Sequence, residues 1–242
     1  MKAIKIEGLT KRYKDVVAVD GLSLEVDKGE LISLLGVNGA GKTTTVKMLS
    51  CLASITEGDA YLFGKSVARE AAAVKSMIAV SPQETAVAPG LSARENLELI
   101  CGAYGLDRAE REKRINEVAQ KLDLLSVMDK KAGKLSGGWQ RRLSIAMALI
   151  SDPKILFLDE PTLGLDVIAR SELWDVVRAL KGEVTIVLTT HYMEEAQSLS
   201  DRVAIMKGGK IIVFDTVSNI KALAGTDNFE EAFVRIVKGE QK

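Results

Sequence analysis

The stretch that decides the fold reads Gly36-Val37-Asn38-Gly39-Ala40-Gly41-Lys42-Thr43-Thr44. It matches the phosphate-loop pattern G-x-x-x-x-G-K-[ST] at every fixed position. The apolar run Leu31–Leu35 before it predicts a buried strand, and Thr45–Leu49 after it predicts a helix. Because a strand, a glycine-rich turn and a helix follow one another, a chance glycine turn beside a lysine is the weaker interpretation.

These residues suit the binding of a nucleoside triphosphate. Glycines let backbone N–H groups converge on an anion, and the following helix directs the positive end of its dipole at the same phosphates. Lys42 adds a full charge for the outer phosphates, and the Thr43 hydroxyl is placed to ligate Mg²⁺.

Composition narrows the class of protein. The chain has 242 residues, 47% of them hydrophobic, which is enough for one large domain with a sizeable core. Lys+Arg and Asp+Glu both number 33, so no nucleic-acid partner is expected. Cys51 and Cys101 are too few for a disulfide framework or a structural zinc site. The sequence shows neither a secretory signal nor an apolar stretch of about 18 residues, so we expect a cytoplasmic chain.

The N-terminal region predicts an antiparallel β-ribbon, because Lys2–Glu7 and Leu22–Val26 alternate apolar and polar residues. Tyr13 lies between these strands. Its ring either stacks on a nucleotide base or half-packs on a strand surface, and the local sequence favours neither. Further on, Met77–Val80 predicts another strand, which ends just before Gln83.

Residues 85–150 have the periodicity of helices. Ser92 with Glu95, and Asp107 with Glu110, resemble capping boxes. The helix after the second box carries an apolar stripe formed by Ile115, Val118, Ala119, Leu122 and Leu125. Because this block separates the first strands from those that follow, it predicts an insertion.

A second candidate anion site opens another apolar helix. Leu135-Ser136-Gly137-Gly138 stands at its start, and a serine with two glycines at a helix N-terminus forms a nest for an anion. An ordinary Ser-Gly cap is the alternative, but one glycine would suffice for a cap.

Two later strands deliver polar side chains at their carboxyl ends, the edge where ligands bind in open α/β sheets. The apolar run Ile155–Leu158 precedes Asp159 and Glu160. Asp159 suits a Mg²⁺ ligand beside a phosphate loop, and Glu160 suits a general base that polarises water. The strand Val184–Thr190 ends at His191, the only histidine, which is a candidate to contact a phosphate.

Together and in this order, the motifs resemble the nucleotide-binding subunit of an ABC transporter over about residues 2–215. The Leu-Ser-Gly-Gly element, with Gln83 and His191, is peculiar to that family. The resemblance implies an α/β P-loop NTPase with a RecA-like core, an N-terminal antiparallel β-subdomain and an inserted helical subdomain. The single domain 1–242 would divide into a core with the β-subdomain at 1–84 and 151–215, a helical subdomain at 85–150, and a helical tail at 216–242.

The resemblance also assigns roles to individual residues. It implies ATP binding by Tyr13, Gly36, Asn38, Gly39, Ala40, Gly41, Lys42, Thr43, Thr44, Ser136, Gly137, Gly138 and Asp166. It implies Mg²⁺ binding by Thr43, Gln83 and Asp159, and catalysis by Glu160 as the base, His191 as the switch histidine and Gln83. In the family, Ser136–Gly138 and Asp166 would act on the nucleotide of the opposite protomer.

The family cycle implies the partners. Two cassettes, identical copies or paralogues, sandwich two ATP molecules head to tail and separate after hydrolysis. The cycle drives an integral membrane permease through contacts near Gln83 and the helical block, which would hold the chain at the inner face of the membrane. The wording of Leu135–Leu143 and Thr190–Ala196, and the short tail ending near Val237, are similar to exporters of drugs and antibiotics rather than to importers.

Two positions depart from the family pattern, and two alternatives stay open. Val37 stands where proline is frequent, and Trp139 stands where many members have glutamine. An importer ATPase is one alternative. A soluble ABC ATPase acting on DNA or ribosomes is the other, disfavoured because the chain has one cassette, no heptad run and no net basic charge. A P-loop enzyme from outside the family, such as a small-molecule kinase, leaves Leu135–Gln140 unexplained.

Overall fold

A computed structural model describes residues 1–239, and residues 240–242 of the expected tail lie outside it. Its strands are β1 (Lys2–Tyr13), β2 (Val16–Asp27), β3 (Leu31–Leu35), β4 (Glu57–Leu62), β5 (Lys65–Ser66), β6 (Ile78–Ser81), β7 (Ile155–Asp159), β8 (Thr185–Thr190), β9 (Arg202–Lys207) and β10 (Lys210–Asp215). Its helices are α1 (Lys42–Leu49), α2 (Ala71–Lys75), α3 (Ala93–Ala103), α4 (Arg108–Lys121), α5 (Gly137–Leu149), α6 (Val167–Ala179), α7 (Met193–Leu199), α8 (Val217–Ala224) and α9 (Phe229–Lys238).

The smaller sheet is antiparallel and has the order β2-β1-β4-β5. The predicted ribbon is confirmed, but its strands are longer than expected, because β1 continues to Tyr13 and β2 starts at Val16. The register between them shifts around Gly8, which has a φ of 59°. An irregularity of this kind interrupts the two-residue alternation, so the pattern underestimates the length of β1.

The larger sheet carries the site and has the order β10-β9-β3-β8-β7-β6. All neighbouring pairs are parallel except β9 with β10, a hairpin at the edge. Strand β6 pairs directly with β7 although the helical block separates them in sequence, which confirms that the block is inserted. The carboxyl ends of β3, β7 and β8 therefore meet at one edge, as the sequence predicts.

The helical block, residues 85–150, contains α3, α4 and α5. Both capping boxes are confirmed, with Ser92 and Asp107 as the N-caps. The predicted stripe on α4 is wrong at its last position, because the helix ends at Lys121 and Leu125 is 59% exposed. Leu124 is fully buried instead, since Asp123 takes a φ of 56° and turns the chain. The boundaries at 84 and 150 stay a prediction.

The helical tail packs onto the large sheet rather than projecting from it. Phe229 and Phe233 of α9 join a buried cluster with Leu35 at the end of β3 and Ala196 of α7. The tail therefore shares a core with the strand that precedes the phosphate loop. Within residues 1–239, no helix combines the length and the apolar character that crossing a bilayer requires.

Candidate active site

The phosphate loop connects β3 to α1, and close backbone packing requires both of its fixed glycines. A Cβ on Gly36 would lie 2.5 Å from the carbonyl oxygen of Met206 in β9. A Cβ on Gly41 would lie 2.6 Å from the carbonyl oxygen of Ala18 in β2, and Gly41 has a φ of +102°. The loop is thus held between the two sheets, and its shape is fixed by the fold.

Lys42, the first residue of α1, directs its ammonium group back over the loop. Nζ donates to the carbonyl oxygens of Gly36 at 2.7 Å and Val37 at 3.3 Å, and it lies 3.5 Å from Oε1 of Glu160. The Lys42 side chain is only 5% exposed. A charge this buried requires polar partners, and phosphate oxygens at the loop are suitable ones.

Asp159 ends β7, and its Oδ1 accepts from two hydroxyl groups. Thr43 donates at 3.1 Å and Thr189 at 2.5 Å. Mg²⁺ prefers oxygen ligands and usually takes one or two carboxylates together with water and substrate phosphates. Within residues 1–239, no three His, Cys, Asp or Glu side chains converge as a metal cage. The Thr43 and Asp159 oxygens therefore fit a Mg²⁺ ion shared with a nucleotide.

Glu160 follows in a strained backbone conformation. Its φ of 47° is left-handed, which costs a non-glycine residue about 1–2 kcal/mol. The backbone N–H is held by the Thr189 carbonyl oxygen at 3.1 Å. Oε2 lies 2.5 Å from Nδ1 of His191, and the Glu160 side chain is 11% exposed. Strain of this kind concentrates at functional sites.

A cavity of about 670 Å³ joins these groups, within the roughly 300–1,000 Å³ typical of ligand sites. Its lining includes Asn38–Thr44, Gln83, Glu160 and His191. The ends of four separate strands, β3, β6, β7 and β8, therefore contribute predicted residues to one space. Two further predicted residues contact members of this lining. The Gly36 carbonyl oxygen accepts a hydrogen bond from Lys42, and the Asp159 carboxylate accepts one from Thr43.

Tyr13 ends β1 outside that lining. Its side chain is 46% exposed, and Nζ of Lys11 lies 4.8 Å from the ring centroid. Tyr13 pairs in the ribbon with Val16, which does line the cavity. The ring is thus close to the site and half packed on the ribbon, and its stacking on adenine stays a prediction.

The signature residues Ser136, Gly137 and Gly138 do not share this cavity. Ser136 precedes α5 as its N-cap, yet within the described chain its hydroxyl accepts no capping hydrogen bond, and both Ser136 and Gly137 are exposed. Gly138 is buried, and a Cβ there would lie 3.1 Å from Cβ of Ala169 in α6. The second glycine therefore permits close helix packing, while the serine and the helix N-terminus stay accessible to an anion.

Asp166 is the N-cap of α6, the helix whose residue Ala169 packs against Gly138. Its Oδ1 accepts from the N–H groups of Ile168 at 3.0 Å and Ala169 at 2.9 Å. In this chain Asp166 stabilises the start of a helix. Its action on a nucleotide of another protomer stays a prediction.

Trp139 departs from the family pattern without disturbing the helix. The ring is half-buried against the core of the helical block, and the Arg142 guanidinium carbon lies 4.7 Å from its centroid. Arg142 also pairs with Asp123 at 3.0 Å and Glu172 at 2.9 Å. The indole thus covers one face of an arginine that ties α5 to α6 and to the end of α4.

Sequence patterns did not single out Arg141, which joins the helical block to the Gln83 loop. Nη1 donates to the carbonyl oxygen of Pro82 at 2.6 Å, and Nη2 donates to that of Gln83. Burial lowers the pKa of Arg141, and the Asp159 charge opposes the shift. The sequence shows Arg141 only as a charged residue within the helix α5, most of which is buried. No sequence pattern singles out Thr189 either, because its hydroxyl on β8 contacts Asp159 on another strand, β7.

Comparison with known proteins identifies one family. The profile of the family described as ABC transporter matches residues 19–163. The daunorubicin resistance ATP-binding protein DrrA3 of Streptomyces coeruleorubidus is 42% identical over 229 residues, which cover 94% of this chain and 72% of that protein. The doxorubicin resistance ATP-binding protein DrrA of Mycobacterium tuberculosis is 40% identical over 239 residues, which cover 98% of this chain and 72% of that protein.

Structural comparison agrees. A dimeric ATP-binding cassette in a post-hydrolysis state, bound to ADP and Pi, matches with a TM-score of 0.77 at 29% identity, covering 88% of this chain and 98% of that chain. The predicted P-loop fold and the predicted family are both confirmed. The chain therefore belongs to the ABC transporter family, as an ATP-binding subunit that hydrolyses ATP.

Proposed function

We propose that this ATPase is one of two cassettes that drive a membrane permease, and that the assembly exports drugs or antibiotics. Relatives named for daunorubicin and doxorubicin resistance support the export of such compounds. The observation that carries the proposal is the division of the site into two halves. The cavity around Lys42 and the exposed Ser136–Gly137 segment do not meet within one chain.

A second cassette, turned head to tail, supplies the missing half. Its exposed serine and helix N-terminus approach the γ-phosphate held by Lys42, and the arrangement repeats at the other site. Both nucleotides are then enclosed, and Asp166 lies at the same junction because it caps the helix that packs on Gly138. An identical copy or a paralogue satisfies this geometry equally.

The residues around the cavity divide the hydrolysis between them. Glu160 accepts a proton from water as the water oxygen attacks the γ-phosphorus, and the bond to the ADP oxygen breaks to give ADP and phosphate. His191, hydrogen-bonded to Glu160, holds that carboxylate in orientation. Lys42 stabilises the negative charge on the outer phosphates, and Tyr13 stacks on the adenine ring.

Thr43 and Asp159 would hold Mg²⁺ beside the phosphates, with Gln83 at the cavity wall. When bound, the ion neutralises phosphate charge. Thr189 orients Asp159 for this task through its hydroxyl. Gln83 and the helical block also form the contact with the permease, which places the chain at the inner face of the membrane. Arg141 connects these two regions through its hydrogen bonds to the carbonyl oxygens of Pro82 and Gln83.

Affinity capture of the Glu160→Gln variant tests the assembly. This variant keeps the shape of the site but lacks the base, so it should bind Mg·ATP and stay in the ATP-bound dimer. The tagged variant is expressed in its native cell, gently solubilised membranes are captured with Mg·ATP, and the bound proteins are identified. The matched control carries Lys42→Ala as well, which should prevent the trapped state.

An integral membrane protein captured with Glu160→Gln and depleted in the control supports the proposal. A second ATPase chain in the same sample identifies a heterodimer. Capture of ribosomes, DNA or soluble proteins alone contradicts the transport role and favours the soluble alternative. An extracytoplasmic binding protein attached to the permease contradicts export and favours import.

A further inference from the structure

Glu195 is a buried carboxyl group that the roles above do not use. It lies in the first turns of α7, four residues after His191, and it is 1% exposed. Glutamate is rarely buried to this extent without partners. Its neighbour Glu194 on the same helix is exposed, with 77% of its side chain accessible. The two adjacent acids therefore serve different purposes.

Three segments converge on this carboxyl group. Trp174 of α6 donates its indole N–H to Oε1 at 3.2 Å. The hydroxyls of Thr190, which precedes His191, and of Thr162, which follows Glu160 by two residues, lie close enough to stabilise its ionised form. Thr190 also accepts the N–H of Tyr192 at 3.0 Å, which closes the turn around His191.

The hydrogen bonding around this carboxyl group is incomplete. Among residues 1–239, Oε2 of Glu195 and Oγ1 of Thr162 are buried without a hydrogen-bond partner of good geometry. Burial raises the pKa of Glu195, although Thr190, Thr162 and Trp174 oppose the shift. A neutral carboxyl keeps one oxygen as an acceptor for Trp174 and carries a proton on the other.

The segments that meet here carry the two groups whose contact matters for hydrolysis. Glu160 is held in a left-handed conformation, and its carbonyl oxygen accepts the N–H of Leu163 in the turn that contains Thr162. His191 lies within the turn that the Thr190 hydroxyl closes. Strained residues persist only where the surroundings over-determine them.

We propose that Glu195 is a positioning residue, which ties the helix that follows His191 to α6 through the Trp174 indole and so keeps the histidine in contact with the base. The inference deepens the proposed function, because it rests on the roles proposed for Glu160 and His191. The helix α6 is the one that Asp166 caps. The hydrogen bond from Trp174 to Glu195 therefore also connects the hydrolytic groups to the segment proposed to face the second cassette.

Two substitutions of Glu195 separate hydrogen bonding from packing. Glu195→Gln keeps an acceptor for Trp174 and supplies a donor in place of the carboxyl proton. Glu195→Met fills a similar volume without either. We expect Glu195→Gln to retain kcat within about twofold, and Glu195→Met to lower it about fivefold or more, the effect of losing one neutral hydrogen bond. The KM for ATP should stay within about twofold for both, because the phosphate loop is untouched.

Glu194→Gln and Glu194→Met are the matched controls, on the adjacent exposed position, and both should keep wild-type kinetics. A wild-type kcat in Glu195→Met overturns the proposal, as does an equal loss in Glu195→Gln and Glu195→Met. A parallel change in kcat and KM also overturns it, because a purely structural residue behaves in that way.

If Glu195→Met fails to fold, Trp174→Phe decides the question, since it removes the indole N–H but keeps an aromatic ring. A lower kcat with unchanged KM then supports the positioning role, and an unchanged kcat overturns it. Glu160→Gln is measured beside these variants. Turnover by Glu160→Gln would refute the proposed base itself, whatever Glu195 does, so the two failures are distinguishable.

Discussion

Replacing Thr189 with valine tests how the active site holds Asp159. The Thr189 hydroxyl makes two hydrogen bonds, donating to the Asp159 carboxylate at 2.5 Å and accepting the Glu160 N–H at 3.0 Å. Valine has the same shape without the hydroxyl. The Glu160 N–H keeps a partner, because the Thr189 carbonyl oxygen lies 3.1 Å away. The substitution therefore removes a hydrogen bond from Asp159 and leaves the Glu160 N–H with a partner.

The magnitude follows from these contacts. A hydrogen bond to a charged group contributes roughly 1.5–3 kcal/mol, and the added buried methyl group returns about 0.8 kcal/mol. The free energy of unfolding should fall by about 1–2 kcal/mol. For a chain of this length that corresponds to a Tm lower by roughly 2–8 °C. Partners that orient a metal ligand typically contribute about 10- to 100-fold to metal affinity or activity.

The assay is ATP hydrolysis as a function of Mg²⁺ concentration, together with thermal unfolding. Thr189→Val should lower the ATPase rate at limiting Mg²⁺ about 10- to 100-fold, and Thr189→Ser should retain most of it. Thr185→Val is the control, because Thr185 is also buried on β8 and accepts from the Gly29 N–H at 3.0 Å. It loses a neutral bond far from Asp159 and should leave the Mg²⁺ dependence unchanged. A Thr189→Val enzyme with wild-type Mg²⁺ dependence, and a Tm no lower than that of Thr185→Val, would refute the reasoning.

Three further predictions concern nucleotide binding and pH. Lys42→Ala removes the charge that lies over the phosphate loop, so the Kd for ATP measured by calorimetry should rise about tenfold or more; unchanged affinity contradicts the role of Lys42. Tyr13→Ala should weaken ATP binding by roughly 1–3 kcal/mol and Tyr13→Phe should not, because the ring supplies the stacking; equal Kd values for both variants contradict this. Burial raises the pKa of Glu195 above its ordinary 4.5, so the folded protein holds a proton that the unfolded chain releases, and wild-type stability should fall as pH rises above 4.5. The Tm of Glu195→Gln should therefore exceed that of the wild type increasingly from about pH 5 upwards and show no such gain below pH 4.5, whereas a pH-independent difference contradicts a raised pKa.

The sequence predicts best the features whose signal lies in consecutive residues. The phosphate loop with β3 and α1 and the capping boxes at Ser92 and Asp107 are of this kind. Prediction fails where a local irregularity changes the phase of a pattern. The shifts near Gly8 hide half of β1, and the turn at Asp123 exchanges the burial of Leu124 and Leu125.

The supporting residues of the site are harder to predict, because their partners are distant in sequence and often belong to the backbone. Arg141 donates to the carbonyl oxygens of Pro82 and Gln83, which no side-chain pattern reveals. Glu195 contacts Trp174 across two elements, and nothing in its own helix marks it as buried. Sequence motifs therefore locate the residues that are proposed to meet the nucleotide and miss those that hold them in place.

The place of β3 in the large sheet has a consequence for synthesis of the protein on the ribosome. All five of its residues are buried, and it pairs on one side with β8 and on the other with β9. Strand β8 is complete only when Thr190 has been made and β9 only when Lys207 has been made, so at roughly 5–20 residues per second β3 lacks both neighbours for on the order of 10–30 s. During that interval the nascent chain exposes an apolar strand with two open edges. Chaperone binding before residue 207 emerges should therefore determine how much of the newly made chain reaches the folded state.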